Sequence, residues 1–294
     1  MTDLFKYNDN SLFEFGNVNK SHYIANTITI INSGNRNNSD IMVFITNYNT
    51  SNLADMNFCN VQSVNMNSTT IYLTNKDEGG TGSDGSRSSN IDYVVLYMNS
   101  YYKIGSNELF TSGKYTINSF NSLNLNNTNY FYFLQSVDNS TNNIVGVTLI
   151  HDNDNTTAYG RIKDSGNGGE GGLQYTGNIF YLGIHKDISL YFKTTIGATS
   201  QPIIDVSLGQ TDDDGYFNIS HNLNISIDNY YILLTPIRPD TDTTESNIYH
   251  LTINQKNTTS FNGYGYIKDA RDGNEISGGK QANLKFNWAV IRKT

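Results

Sequence analysis

The chain has a single cysteine, Cys59, which excludes an internal disulfide framework. Lying in a strand-like run, that thiol reads as buried and inert. Prolines are three, Pro202, Pro236 and Pro239, each at the margin of a strand-like run or in a loop, where a missing N–H does little harm. Charged residues make up only 16% of the sequence and the net charge is −8, with no basic stripe to neutralise phosphates. Nucleic acid is therefore not expected as a partner. No apolar run approaches the roughly 20 residues of a membrane-spanning helix, so membrane insertion is not expected either. The start, MTDLFKYNDN, lacks the basic and apolar order of a signal peptide. The expectation is synthesis in a host cytoplasm, with any outward role reached by another route, such as release inside a virus particle. Helical signals are nearly missing too: no window sustains apolar residues at i, i+3, i+4 and i+7.

What the sequence does hold is strand. Its apolar mass is carried by 21 Tyr, 14 Phe and many Ile and Val, all strand-favouring types. Strand-like runs recur about every ten residues between Asn, Asp, Gly and Ser clusters, the pattern of an all-β sandwich or barrel. The last run, Ala282 to Thr294, places Leu284, Phe286, Trp288 and Val290 on one face, with Lys285 and Asn287 interrupting the other. Period-2 alternation of this kind predicts a half-buried strand, and it carries the only Trp.

Three anchors point to an internal repeat of roughly 90 to 105 residues. Closing strands align on Asn90, Asn178 and Asn283. A polar turn entering a strand recurs at Thr70, Thr157 and Thr259. An aromatic or aliphatic strand recurs as IMVFIT, YFYFLQ and YYILLT, ending at Thr46, Gln135 and Thr235. The expectation is three tandem small antiparallel β-sandwich domains in an elongated array: residues 1–99 with an N-terminal arm (Met1 to Phe13), 100–188 and 189–294. Lys186 to Gln201 links the second and third and contains a strand-like piece, ISLYFKTTI.

Chemistry-bearing motifs are weak. Asp212, Asp213 and Asp214 before Gly215 lack the EF-hand spacing and its closing Glu, and read as a hairpin turn. The Gly-rich stretches Glu78 to Gly80, Gly168 to Gly172 and Gly278 to Gly279 do not link a strand to a helix, as a phosphate loop does, and read as connections. His22, His151, His185, His221 and His250 are scattered, with no metal-ligand spacing. Neither a nucleophile elbow nor a Cys–His pair is present. No catalytic residue, metal site or cofactor is expected, and no ligand-binding residue can be named. The Asn-x-Ser/Thr triplets at Asn49, Asn67, Asn155 and Asn257 follow from composition. Tyr230 and Tyr93 read as core or interface positions.

The closing Phe286–Asn287–Trp288–Ala289–Val290–Ile291, after a Thr-rich turn into an aromatic strand, resembles the end of H-type-lectin-like domains. The resemblance covers about Pro202 to Thr294, and the first two repeats through pattern alone. They lack the Trp, with Val94 or Val95 and Leu182 nearby. Such domains are six-stranded antiparallel sandwiches that usually trimerise and recur at the tips of phage tail fibres. The resemblance implies a non-enzymatic virion appendage, a tail-fibre or receptor-binding subunit, that attaches as a homotrimer to host-surface glycan and mates with other virion proteins. The low charge and abundant Tyr support the trimer independently, since they leave aromatic surface for a symmetric partner to bury. The alternatives are a purely structural virion protein (head fibre, capsid decoration or tail adaptor) and a free lectin or adhesin.

Overall fold

A computed structural model describes residues 6–7, 10–11, 13–20, 27–31, 40–48, 55–77, 89–97, 101–104, 107–118, 123–126, 129–138, 143–152, 155–164, 173–191, 193–196, 199–240, 247–269 and 278–293. Of the N-terminal arm only Lys6–Tyr7, Asn10–Ser11 and Phe13 are described, the first two pairing with each other. The stretches Glu78 to Gly80 and Gly168 to Gly172, and with them His22 and Asn49, lie outside the described residues.

The protein is nearly all strand, and one strand order occurs three times. Leaving aside short flanking strands such as Lys6–Tyr7 and Tyr101–Ile104, the six of the first set are β1 (Phe13–Lys20), β2 (Thr27–Ile31), β3 (Met42–Tyr48), β4 (Asp55–Val64), β5 (Ser68–Asp77) and β6 (Ser89–Leu96). The second six are β7 (Asn107–Ile117), β8 (Leu123–Asn126), β9 (Tyr130–Val137), β10 (Asn143–Asp152), β11 (Asn155–Asp164) and β12 (Gly177–His185). The last six are β13 (Ile204–Gln210), β14 (Tyr216–Ser220), β15 (Tyr230–Pro236), β16 (Asn247–Lys256), β17 (Ser260–Asp269) and β18 (Lys285–Arg292). Strands six apart in number are equivalent. In each set the sixth strand lies between the first and third, giving the antiparallel sheets β1–β6–β3, β7–β12–β9 and β13–β18–β15. The fifth lies between the second and fourth, giving β2–β5–β4, β8–β11–β10 and β14–β17–β16.

These units are not beads on a string. The fourth strand of each reaches the third strand of another and meets it in parallel. Val61 on β4 pairs with Val137 on β9. Leu149 on β10 pairs with Ile237, just past β15. Ile253 on β16 pairs with Tyr48 on β3. The links run first to second, second to third and third back to first, so the chain closes a pseudo-three-fold ring. The same hydrogen bond follows two of the junctions: Asp138 N–H donates to Val61 O and Arg238 N–H to Leu149 O, at 2.9 and 2.8 Å. A bulge follows directly on the junction residue in β4 (after Val61) and in β16 (after Ile253), and β10 has none. A bulge bends its strand and adds twist, which suits a strand leaving its own sandwich to join a neighbour. The elongated array expected from three tandem sandwiches gives way to this ring.

The ring has its own core. One face of β18 (Phe286, Trp288, Val290) packs with Phe217, Ile253 and Phe261 inside the last sandwich. Its other face adds Ala289 and Ile291 to a central cluster holding Val94, Leu182, Leu96 and Ile184 from the equivalent places on β6 and β12. Phe44, Phe133 and Leu233 of the third strands join it, as do Phe13, Phe110 and Ile204 of the first. Each such side chain gains about 1.5–3 kcal/mol on full burial. The closing strand, expected to be half-buried, is buried on both faces because this second core takes the face that Asn287 shares.

Above the apolar layers sits a buried polar ring made by equivalent residues, Thr46, Gln135 and Thr235. Ile45 N–H donates to Gln135 Oε1 at 3.1 Å, Leu134 N–H donates to Thr235 Oγ1 at 3.0 Å, and Thr46 Oγ1 donates to Ile232 O at 2.6 Å. Each bond joins a different pair of units. An unpaired buried polar group costs about 1–3 kcal/mol, so these bonds fix which strand faces which.

Two register readings are corrected. Thr46, Gln135 and Thr235 pair with Asp92, Phe180 and Asn287. Asn90 and Asn178 therefore match Lys285, two residues beyond Asn283. A slip of two keeps every side chain on its face, so alternation cannot reveal it. With the register set, Trp288 matches Tyr93 and Tyr181, not Val94, Val95 or Leu182. Tyr93 and Tyr181 lie across Gly16 and Gly113, where a Cβ would collide with the ring. In the linking stretch, Ile188–Tyr191 forms one helical turn with Ile188 buried, and Lys193–Ile196 pairs with Thr199–Pro202.

Candidate functional site

The chain itself spans the first two seams of the ring, from β6 into β7 and from β12 into β13. The third, between the last unit and the first, is closed by non-covalent contacts. It holds a cleft of about 410 Å³, within the 300–1,000 Å³ range usual for small-molecule sites.

At its floor Lys256, the last residue of β16, forms an ion pair with Asp92 of β6. Both are largely buried, with 10% and 4% of their side chains exposed. The ammonium also donates to Tyr230 O at 3.3 Å. It lies 5.8 Å from the ring centre of Tyr48, 5.3 Å from that of Tyr230 and 5.7 Å from that of Tyr231, inside cation–π range. Strand geometry explains the gathering. Tyr48 ends β3 beside Ile253, so β16 delivers Lys256 to the same edge. Asp92 stands opposite Thr46, two residues before Tyr48. Phe15 of β1 stacks on Tyr231 across the seam at 4.9 Å.

Burial, then the charge of Asp92, raises the Tyr48 hydroxyl above its ordinary range. The same causes push Tyr231 up to about 12, and burial holds Tyr230 well above its usual value. All three remain neutral phenols at physiological pH. Tyr230 donates its hydroxyl to Asn257 O at 2.7 Å, so its ring is anchored from behind. Ile227, Asp228 and Lys293 form the rim, and Ile227 is exposed. The hydrogen bond from Lys293 N–H to Asn229 O, 2.7 Å, ties the end of β18 to that rim. The cleft thus offers aromatic rings, a buried carboxylate and ammonium, and a second pair of opposite charges at its mouth.

Of the residues weighed in the sequence, Tyr230 alone lines this place; the Asp cluster, the described histidines and Cys59 do not. Asp212 makes a turn: its carboxylate accepts from Asp214 N–H at 3.0 Å and Tyr216 N–H at 2.8 Å, and Gly215 takes φ +73°. His221 is buried edge-on to Tyr230 at 5.0 Å, and burial lowers its pKa. Among the described residues no group of three or more His, Cys, Asp or Glu is placed to hold a metal. Cys59 donates to Asn47 Oδ1 at 2.8 Å, and burial pushes its thiol up, away from reactive thiolate character.

Sequence reasoning missed Tyr48, Asp92 and Lys256. The signal present was Asp92, a lone carboxylate inside the apolar run NIDYVVL. No family model, curated protein or solved structure matches the chain.

Proposed function

We propose that the protein is a non-enzymatic virion appendage subunit that attaches to cell-surface carbohydrate, with the cleft at the non-covalent seam as its sugar site. The observation that carries this reading is the cleft's composition. A pyranose presents C–H groups on one face and hydroxyls around its edge. Tyr48, Tyr230 and Tyr231 supply aromatic surface for the face, and Asp92 and Lys256 accept from and donate to hydroxyls. Three six-stranded units in three-fold array support the lectin-like resemblance. They also support a single chain filling the role first assigned to a homotrimer. Multivalent display of such subunits on a particle turns weak contacts into firm attachment.

A glycan array probed with the wild-type chain and with Asp92→Asn tests it. Selective binding by the wild type, lost in the variant, supports the reading; no selective binding by the wild type rejects it. A second reading has its own observation: Asp92 and Lys256 satisfy each other's charge, as a seam lock without ligand would. On that reading the chain is a purely structural virion protein, and it stays silent on the array.

A further inference from the structure

We propose that this cleft is a one-per-chain site for an uncharged sugar residue, created where the three seams of the ring stop being alike. The inference rests on the carbohydrate reading above and narrows it. Strand register gives the equivalents. Tyr48 corresponds to Val137 and Ile237, the residues at the other two parallel junctions. Asp92 corresponds to Phe180 and Asn287, each opposite the matching third-strand residue. Lys256 corresponds to Val64 and His151, each two paired positions beyond its junction residue.

At the first seam the triad therefore reads Val137, Phe180 and Val64; Phe180 lies in the central apolar cluster and the two valines pack against it. None of these three positions is charged, although Lys114 Nζ lies 5.3 Å from the Phe180 ring and Asp138 follows Val137 at the junction. At the second, Asn287 stands in for Asp92 and spends its amide on Tyr132 O at 3.0 Å, while Ile237 is buried in the apolar cluster of the second unit. Among these equivalent positions, only those at the seam without a linker carry both charges and the tyrosine. Fold symmetry alone would give three sites; the side chains give one.

The same charges set the ligand class. Among the described lining residues Asp92 and Asp228 stand beside Lys256 and Lys293, two carboxylates with two ammoniums, so their charges cancel. A carboxylate-bearing sugar reaching Lys256 would have to displace Asp92 and strand a buried charge. A neutral ring costs no such exchange.

The test is isothermal titration of the folded chain with the methyl glycosides of glucose, galactose, mannose and N-acetylgalactosamine, beside sialic acid and glucuronic acid. The expected result is saturation by one neutral glycoside per chain. The dissociation constant should change less than about twofold as salt is raised from roughly 0.05 to 0.5 M, because no net charge is screened. Ile227→Arg, on the rim where the side chain is 44% exposed, should weaken binding about tenfold or more by filling the mouth, with its urea midpoint set beside that of the wild type as the check on folding. Three ligands per chain, preference for the acidic sugars, or undiminished binding by Ile227→Arg would each overturn the proposal and leave the carbohydrate reading standing. No binding to any of the six would overturn both.

Discussion

Ile253 of β16 pairs in parallel with Tyr48 of β3, so a strand from the last third of the chain extends a sheet begun in the first third. That contact makes the molecule a ring. It also brings Lys256 to Asp92, the buried ion pair across the one seam that no linker holds.

Removing one member of that pair leaves the other charged and buried. Asp92→Asn or Lys256→Met should each cost about 3–5 kcal/mol in urea unfolding, and the double variant Asp92→Asn/Lys256→Met should cost less than the sum of the two. Additive losses would mean the two side chains do not act on each other.

Phe133 fills the middle of the central cluster, with equivalents Phe44 and Leu233 from the other units. Phe133→Ala should destabilise by about 3–5 kcal/mol. Because the cluster is shared, the whole chain should still unfold in one transition, followed by both tyrosine fluorescence and the single Trp288. If Trp288 reports a midpoint unmoved by the substitution, the cores are separate.

Gly16 and Gly113 admit the rings of Tyr93 and Tyr181, and a methyl group at either would overlap the ring. Gly16→Ala should cost about 1–3 kcal/mol by overpacking. A thermal midpoint equal to wild type would show that β1 does not lie against Tyr93 as described.

Tyr231 titrates near 12 in the folded chain, and Tyr48 and Tyr230 are shifted upward with it, against about 10 when unfolded. A folded pKa raised above the unfolded one gives stability that is complete below the unfolded value and is lost as pH rises through the folded one. Stability should therefore decline between about pH 10 and 12. His221 adds the opposite edge: its folded pKa is lowered by burial, so its contribution is complete above about 6.5 and falls as the solution is acidified. Urea midpoints from pH 5 to 12 check both, and a flat profile at either end contradicts the burial of the groups named.

Much of this fold was legible in the sequence. The aromatic and aliphatic runs IMVFIT, YFYFLQ and YYILLT mark the strands that became β3, β9 and β15, and their spacing marks the three-fold recurrence. The ring was not legible, because pairing between β4 and β9 or β16 and β3 leaves no local trace: Val61 and Ile253 look like any inward strand residue. The double burial of β18 was hidden for the same reason, since Lys285 and Asn287 interrupt the second face before Ala289 and Ile291 close it. The cleft was hidden more deeply. Tyr48, Asp92 and Lys256 are far apart in the chain, and only Asp92, inside an apolar run, has an unusual local setting. Only the closure of the ring makes them neighbours.

The ring itself is tested most directly by small-angle X-ray scattering on a size-separated sample, with mass taken from forward scattering. A single chain closed on itself should give a radius of gyration near 19 Å, the compact value for its length. A row of three touching sandwiches at monomer mass, with a radius of about 29 Å on the same scaling, would contradict it.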